Sequence, residues 1–233
     1  LEKTATDFLI FFPRPVPSQG NELWLVLGSE RSFCGGFNEL LVRRLLRESP
    51  DCIEQPQRVL AVGRKLCERL DEALPGYKGL AGASCSEEVQ SVLTQVVTAT
   101  QKKIEQSGAT ALWILSHNNG PNNIICRRLL PPRKAFEHIK EFNPPLLHGQ
   151  PDQFFSHFLQ LYLLLGLTQL FTVSLLTENE YRIRHLEGAI HRLDEQLAKL
   201  SSRARRLRQE EIIEEIEVIL LGSGAFDSLG RYS

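Results

Sequence analysis

Residues 151–233 contain no proline after Pro151, and this constrains the fold more than any other feature of the chain. Helix-compatible sequence continues from Pro151 to about Leu221, and the run Gly222-Ser223-Gly224 is expected to stop it. At ~1.5 Å per residue, a continuous helix of that length would reach roughly 100 Å. The sequence therefore predicts a long C-terminal helix over 151–222 and a flexible tail over 223–233.

This helix carries an apolar stripe whose members follow one another at alternating steps of three and four residues. They are Ile183, Leu186, Ile190, Leu193, Leu197, Leu200, Ala204 and Leu207. The spacing is typical of a coiled-coil seam, and the faces between its members are charged. Such a seam needs a partner helix, and the predicted elements of residues 1–150 offer none of suitable length. We therefore expect the native protein to carry a preceding helix of several tens of residues.

One stretch of the same helix, Phe158–Leu176, contains no charged residue and approaches the length that crosses a bilayer. Polar side chains interrupt it at Gln160, Thr168, Gln169 and Ser174, and strongly charged sequence follows it. A helix packed within the protein explains this composition better than a membrane span. We therefore predict that the chain has no transmembrane segment.

The first 150 residues alternate between strand-like and helix-like segments. Short apolar runs predict strands at Leu23–Leu27, Arg58–Val62, Tyr77–Leu80, Ala109–Ser116 and Asn123–Leu130. Helical spacing predicts helices at Phe37–Arg47, Arg64–Ala73 and Ser86–Glu105, the last with Ser86 as its N-cap. This alternation indicates a Rossmann-like α/β domain over 13–150, preceded by the end of a helix at 1–12. The proline-rich stretch 131–151 is expected to be irregular.

Charge and cysteine usage exclude several function classes. The 27 Lys and Arg residues balance 28 Asp and Glu residues, so no global field draws the protein to nucleic acid. A local cluster of arginines at 203–208 is followed at once by glutamates, which favours a protein partner or a solvated face. The five cysteines form no C-x-x-C pair and lie at no zinc-ligand spacing with histidine. We therefore predict no metal site and a reducing compartment.

A glycine-rich segment, Gly28–Asn38, lies between a predicted strand and a predicted helix, where a phosphate-binding loop would lie. Its glycine spacing matches neither dinucleotide-binding nor P-loop sequences, and it lacks the P-loop lysine. We therefore expect a structural turn and no nucleotide cofactor. Cys34 in this segment has no histidine near it in sequence, which favours a buried thiol over a nucleophile.

Two motifs at opposite ends of the chain carry a resemblance to a known family. The segment Glu30-Arg31-Ser32-Phe33-Cys34-Gly35-Gly36-Phe37-Asn38 matches D-R-G-L-C-G-G-x-N, and the segment Arg208–Ile219 matches R-Q-x-x-I-T-Q-E-I-x-E-I. The elements Val62-Gly63-Arg64-Lys65 and Leu129-Leu130-Pro131 occur between them in the family's order. By these residues the chain is similar to the gamma subunits of F-type ATP synthases over nearly its whole length.

The chain departs from that family at two places. Of the family's S-E-H-A-A-R-M-x-A-M, the segment Thr177–Leu186 keeps only Glu178 and Arg182 of the polar pattern. The threonine and glutamine of the family's T-Q-E are replaced by Ile213 and Glu214. The resemblance is therefore to a divergent or alternative gamma subunit.

The resemblance implies a non-catalytic rotor shaft that couples ion flow to ATP chemistry. Its long helix would pair with an N-terminal helix in an antiparallel coiled coil and thread a hexamer of alpha and beta subunits, which Arg208, Gln209 and Glu215 would contact. Further partners would be the epsilon subunit and the membrane c-type ring, with the chain peripheral on the cytoplasmic, stromal or matrix face. The family's turn residues correspond to Arg31, Cys34, Gly35, Gly36 and Asn38.

Two other classes of protein stay open on the sequence. The first is a coiled-coil adaptor with an α/β domain and no ATPase association, and the second is a Rossmann-like enzyme. Co-purification with ATPase subunits would separate the rotor from the adaptor. The enzyme would require a nucleotide-dependent shift in melting temperature.

Overall fold

The computed structural model describes residues 21–120, 123–130 and 150–229, with the side chains in these ranges except at 151, 152, 155, 156, 159 and 222–229. The predicted helix end at 1–12 and the bulk of the proline-rich stretch lie outside the described residues. The chain divides into two units, Leu1–His185 and Leu186–Ser233, and each is described by itself.

One five-stranded sheet lies in the first unit, with the strand order β3-β2-β1-β4-β5. Its strands are β1 (Glu22–Leu27), β2 (Val59–Val62), β3 (Lys78–Leu80), β4 (Ala111–His117) and β5 (Ile124–Leu130). The first four strands are parallel, and β5 runs antiparallel to β4. Parallel neighbours need crossover connections, and the order of the four parallel strands is that of a Rossmann-like half. The predicted fold class is therefore confirmed.

Three helices of the first unit connect the strands: α1 (Phe37–Glu48), α2 (Arg64–Ala73) and α3 (Val89–Ser107). The prediction was wrong about the start of α3, whose N-cap is Glu88 rather than Ser86. Residues 86–88 form a tight turn instead, in which the Val89 N–H donates to the Ser86 carbonyl at 3.3 Å. The helix ends at Gly108, which adopts the left-handed φ of 60° common after a helix.

The sheet is covered on both faces, and the alternation of β1 assigns its side chains to the two cores. Leu23, Leu25 and Leu27 belong to one core, which also contains Val92, Leu93 and Val96 of α3. Trp24 and Val26 belong to the other core, together with Leu41, Leu45, Leu66 and Leu70 of α1 and α2. All of these side chains are at most 7 % exposed. Burial on both faces explains why β1 and β2 have nearly continuous apolar sequences.

The helix α4 (Pro151–Leu229) supplies part of the first core with its residues up to His185. Leu163 and Leu167 are fully buried, and Leu170 and Phe171 are at most 8 % exposed. By length and composition alone the segment Gln160–Leu221 could cross a membrane. The burial of this face against the sheet supports the predicted packed helix instead.

The second unit contains the rest of α4, which continues to Leu229. The prediction that Gly222-Ser223-Gly224 stops the helix is wrong, because α4 continues to Leu229. The predicted flexible tail over 223–233 stays a prediction. A glycine costs about 1 kcal/mol relative to alanine within a helix, which weakens the helix without ending it. The sequence after Gly224 contains no proline that would impose a stop.

Candidate functional site

The family motif forms a turn between β1 and α1, and its two ends are tied together by side-chain hydrogen bonds. The Ser29 N–H donates to Oδ1 of Asn38 at 3.0 Å, and Nδ2 of Asn38 donates to Oγ of Ser29 at 2.8 Å. Ser29 is fully buried. The asparagine of the motif thus closes the turn, as expected for a structural role. We call residues 28–38 the motif turn.

Glu30 of the motif turn fastens it to two neighbouring segments. One carboxylate oxygen accepts hydrogen bonds from the Arg64 N–H at 2.9 Å and the Gly82 N–H at 2.7 Å. The Arg64 N–H lies at the N-terminus of α2, where the helix dipole favours a negative charge. The N-terminus of this helix is therefore occupied by an anion of the chain itself.

Gly63 lets the motif turn approach the end of β2 closely. Its φ is 111°, and a Cβ at this position would lie 2.7 Å from the carbonyl oxygen of Ser29. Only glycine combines this backbone conformation with such a close approach. The glycine of the Val62-Gly63-Arg64-Lys65 element is thereby explained by packing.

The motif turn is docked on α4 through Glu178 and Arg182. Oε1 of Glu178 lies 3.4 Å from the Arg31 N–H and 3.9 Å from Sγ of Cys34. Nε of Arg182 donates to the Ser32 carbonyl at 3.3 Å, and its Nη2 lies 2.5 Å from Oε1 of Glu178. The two polar residues that the chain keeps from the family's α4 pattern therefore bind the family's other motif. We call this set of contacts the polar clamp.

An aromatic cluster lies beside the polar clamp at the carboxyl end of β4. The His117 ring stacks on Phe37 with ring centroids 3.9 Å apart, and Tyr181 of α4 meets both rings edge-on at 5.4 Å. Nε2 of His117 is 2.9 Å from the Phe37 carbonyl, which can only accept, so Nε2 carries the proton. In doubly wound sheets, ligands bind at the carboxyl ends of strands where the strand order reverses. Here the Phe37 and His117 side chains lie at that position, between β1 and β4.

Burial decides the protonation of the groups in this region. Desolvation raises the pKa of the Glu178 carboxyl, although the Arg182 guanidinium opposes the rise. Desolvation and then the Glu178 charge raise the pKa of the Cys34 thiol, so the thiol stays protonated and acts as a weak donor. Burial lowers the pKa of His117, which favours the neutral ring. This environment supports a buried structural thiol at Cys34 and no nucleophile.

The other predicted residues of the motif turn are placed differently from Cys34. The side chain of Arg31, like Gly35 and Gly36, is exposed, whereas Cys34 is only 4 % exposed. A Cβ at Gly35 would lie 3.6 Å from Nδ1 of His185. Among the described residues, no cluster of His, Cys, Asp and Glu could hold a metal ion.

Sequence reasoning missed the site-forming role of Glu178, Arg182, Tyr181 and His117. The available signal was the retention of Glu178 and Arg182, four residues apart, where the rest of the family pattern had changed. A spacing of four places both side chains on one face of a helix. Nothing in the sequence indicated that His117 and Tyr181 would meet.

The predicted seam and partner-contact residues lie in or next to the second unit, and all of them are exposed. The seam side chains are 41–68 % exposed at Ile183, Leu186, Ile190, Leu193, Leu197, Leu200 and Leu207. Arg208, Gln209 and Glu215 are also exposed. Large apolar side chains repeated along an exposed helix mark a surface for association.

Known proteins resemble this chain in sequence over most of its length. The family model described as ATP synthase matches residues 4–226. The ATP synthase gamma chain of Clostridium botulinum (strain Langeland) is 23 % identical over 211 residues, covering 88 % of this chain and 72 % of the relative. The gamma chain of Rickettsia felis is 19 % identical over 218 residues, covering 92 % of this chain and 75 % of the relative.

Solved structures share the fold. The rotor of the Euglena gracilis mitochondrial ATP synthase superposes with a TM-score of 0.60 at 14 % identity, covering 84 % of this chain and 76 % of that one. The central stalk and c-ring structure of the Tetrahymena thermophila mitochondrial ATP synthase gives a TM-score of 0.58 at 14 % identity, covering 80 % and 85 %. The family match over most of the chain decides the assignment: the chain belongs to the ATP synthase gamma-chain family.

Proposed function

We propose that this chain is the central rotor stalk subunit of an F-type ATP synthase or ATPase. The observation that carries the proposal is the exposed seam of leucine and isoleucine on a long helix, in a chain of the gamma family. A stable protein does not leave so many large apolar side chains in water without a partner. A shaft helix that is enclosed by other helices and subunits requires such a surface.

The partners that fit this proposal are the alpha and beta subunits around the helix, the epsilon subunit, and the c-type ring in the membrane. The chain would then be a peripheral part of the complex, on the cytoplasmic, stromal or matrix side. Each buried seam side chain would contribute on the order of 1.5 kcal/mol to the association.

The proposed mechanism is a shift of populations among three catalytic sites. An asymmetric shaft contacts each site differently at a given angle, and its rotation changes which site has which nucleotide affinity. Arg208, Gln209 and Glu215 are exposed polar side chains that can make charge-assisted hydrogen bonds to the surrounding subunits. The chain itself would form and break no covalent bond. The protonated, buried thiol of Cys34 supports this non-catalytic role.

Co-purification with the alpha, beta and epsilon subunits of the same source tests the proposal. We expect one copy of this chain for each hexamer of alpha and beta subunits, measured by native mass spectrometry. A coiled-coil adaptor without ATPase association is the competing class. It would purify without these subunits, and that result would contradict the rotor assignment.

The partner contacts have their own test in the assembled complex. Replacing Arg208 and Gln209 together by Ala should lower coupled ATPase turnover, while exposed polar changes should alter the free energy of unfolding by less than ~0.5 kcal/mol. The matched control replaces Arg192 and Gln196, which are exposed on the same helix. Unchanged turnover together with a large loss of melting temperature would assign Arg208 and Gln209 a structural role instead.

A further inference from the structure

We propose that the polar clamp fixes the angular setting of α4 on the α/β domain and thereby bears the torque between them. The clamp consists of Glu178 and Arg182 on α4 and residues 31–34 of the motif turn. This inference rests on the proposed rotor function, since torque has meaning only in a rotating shaft. The clamp gives the motif turn a mechanical role, which its position between a strand and a helix does not by itself suggest.

Burial of charge is the first argument. The side chains of Glu178 and Arg182 are 4 % and 17 % exposed, and they form an ion pair four residues apart. Buried charges are costly unless their hydrogen-bonding capacity is satisfied. The motif turn provides what is needed: the Arg31 N–H and the Cys34 thiol face the carboxylate, and the Ser32 carbonyl accepts from the guanidinium. The pair is therefore stable only while the turn lies against it.

Direction is the second argument. Burial of Leu163 and Leu167 already selects the face of α4 that packs against the sheet, and hydrogen bonds add a finer angular restraint to it. Hydrogen bonds weaken steeply when donor and acceptor are misaligned. Turning α4 by one residue position, about 100°, would take both charged groups away from the motif turn. A single rotational setting of the helix satisfies the clamp.

The aromatic cluster supports the same setting from a second side. Tyr181 precedes Arg182 and contacts Phe37 at the start of α1 and His117 at the end of β4. Two consecutive residues of α4 thus contact the motif turn and the sheet. Rotation of the helix would have to break polar and aromatic contacts together.

The chain contains a matched control pair on the same helix. Glu180 and Arg184 have the same residue types and the same spacing as the clamp pair, at a distance of 3.7 Å. Their side chains are 40 % and 52 % exposed. A variant at Arg184 therefore removes the same charge and the same kind of pair on α4 from a solvent-exposed face.

The test compares Arg182→Ala with Arg184→Ala in the full complex reconstituted in vesicles, with ion pumping and ATP hydrolysis measured on the same sample. We expect Arg182→Ala to lower the ions pumped per ATP hydrolysed several-fold, while hydrolysis continues and assembly is preserved. Arg184→Ala should match the wild type. Arg182→Lys keeps the charge but loses the planar donor geometry. Its ratio of ions pumped to ATP hydrolysed should therefore lie between the ratios of Arg182→Ala and Arg184→Ala.

Hydrogen exchange of the assembled complex provides a readout that does not depend on pumping. The amide of Arg31 should exchange faster in Arg182→Ala than in Arg184→Ala, because the carboxylate that it faces is no longer held. Equal pumping ratios for Arg182→Ala and Arg184→Ala in assembled complexes would overturn the clamp and leave the rotor function intact. If the wild-type chain fails to assemble with alpha and beta subunits, the rotor function and the clamp are both wrong. If Arg182→Ala fails to assemble, the test uses Arg182→Lys instead. A ratio of ions pumped to ATP hydrolysed equal to that of Arg184→Ala would then overturn the clamp, and a lower ratio would support it.

Discussion

Two stretches of α4 both have an apolar face, but the two faces have opposite environments. In the stretch 158–182, Leu163 and Leu167 are fully buried against the sheet. In the stretch 183–221, Leu197 and Leu200 are 68 % and 67 % exposed. Helical spacing of leucines identifies an apolar face in both cases. It does not say whether the surface that covers the face belongs to the same chain or to another one.

The charge between the apolar positions separates the two stretches. The first stretch has little charge and packs one face against the sheet, while Leu161 and Leu165 stay exposed, and its one buried acid is paired with Arg182. In the second stretch charged residues lie between the seam positions, and further exposed apolar side chains follow the seam from Ile212 to Leu221. The first stretch thus contributes to the core of the α/β domain, whereas we expect the second to bind a partner.

Truncation of one leucine in each stretch should give the largest difference between the two stretches in free energy of unfolding. Leu167→Ala leaves a cavity in the core and should lower the free energy of unfolding by about 2–5 kcal/mol. Leu197→Ala removes a side chain that already faces water, and the change should stay within ~0.5 kcal/mol. Denaturant unfolding of the isolated chain, at concentrations low enough to keep it monomeric, measures both values. Equal losses would show that the seam is already covered within the chain.

Association of the isolated chain should depend on the seam alone. We expect the chain to self-associate, and Leu193→Gln together with Leu197→Gln should weaken this association by about two orders of magnitude, since two apolar contacts of ~1.5 kcal/mol are lost. The control changes Glu195 and Lys199 to Gln on a charged face of the same helix. Sedimentation equilibrium gives the dissociation constants. A monomeric wild type with an intact helix would argue against a partner-binding seam.

The pH dependence of stability should report the aromatic cluster of the packed stretch. Burial lowers the pKa of His117, so below the usual histidine pKa of about 6.5 the unfolded chain binds a proton that the folded chain rejects. The contribution of His117 to the free energy of unfolding should therefore fall as the pH drops through 6.5, by at most about 1.4 kcal/mol per pH unit. The raised pKa of Glu178 has the opposite effect on the pH dependence of stability, because this carboxyl holds a proton more readily in the folded chain than in the unfolded chain. Unfolding of His117→Gln should show a flatter profile, and an unchanged slope would contradict a neutral, buried His117.

Local patterns were sufficient to predict the α/β domain, and the same kind of pattern carries the seam, which stays a prediction. The apolar runs of β1 and β2 and the stepping of Ile183, Leu186 and Ile190 are set by residues close in sequence, where periodicity is informative. The end of the long helix was predicted wrongly because two glycines were given the weight of a stop signal, which only proline or a capping structure provides. Ser86 was assigned as a cap from its residue type, although the turn at 86–88 moved the helix start to Val89.

The polar clamp was beyond the reach of local patterns. Glu178 and Arg31 are 147 positions apart, and each belongs to a segment with an adequate local explanation: a charged helical face and a glycine-rich turn. Their meeting depends on the tertiary fold, in which the motif turn follows the central strand β1 and contacts α4. Sequence reasoning identified both halves of the site and could not join them.

Rotation of the α/β domain within the assembled complex tests the central claim most directly. A probe on Cys85, the exposed cysteine among the five, would be observed while the alpha and beta subunits are immobilised. The account predicts stepwise rotation of the probe in one direction that starts with ATP and stops when ATP is consumed. A probe that stays fixed while the complex hydrolyses ATP would contradict the assignment of this chain as the rotor shaft.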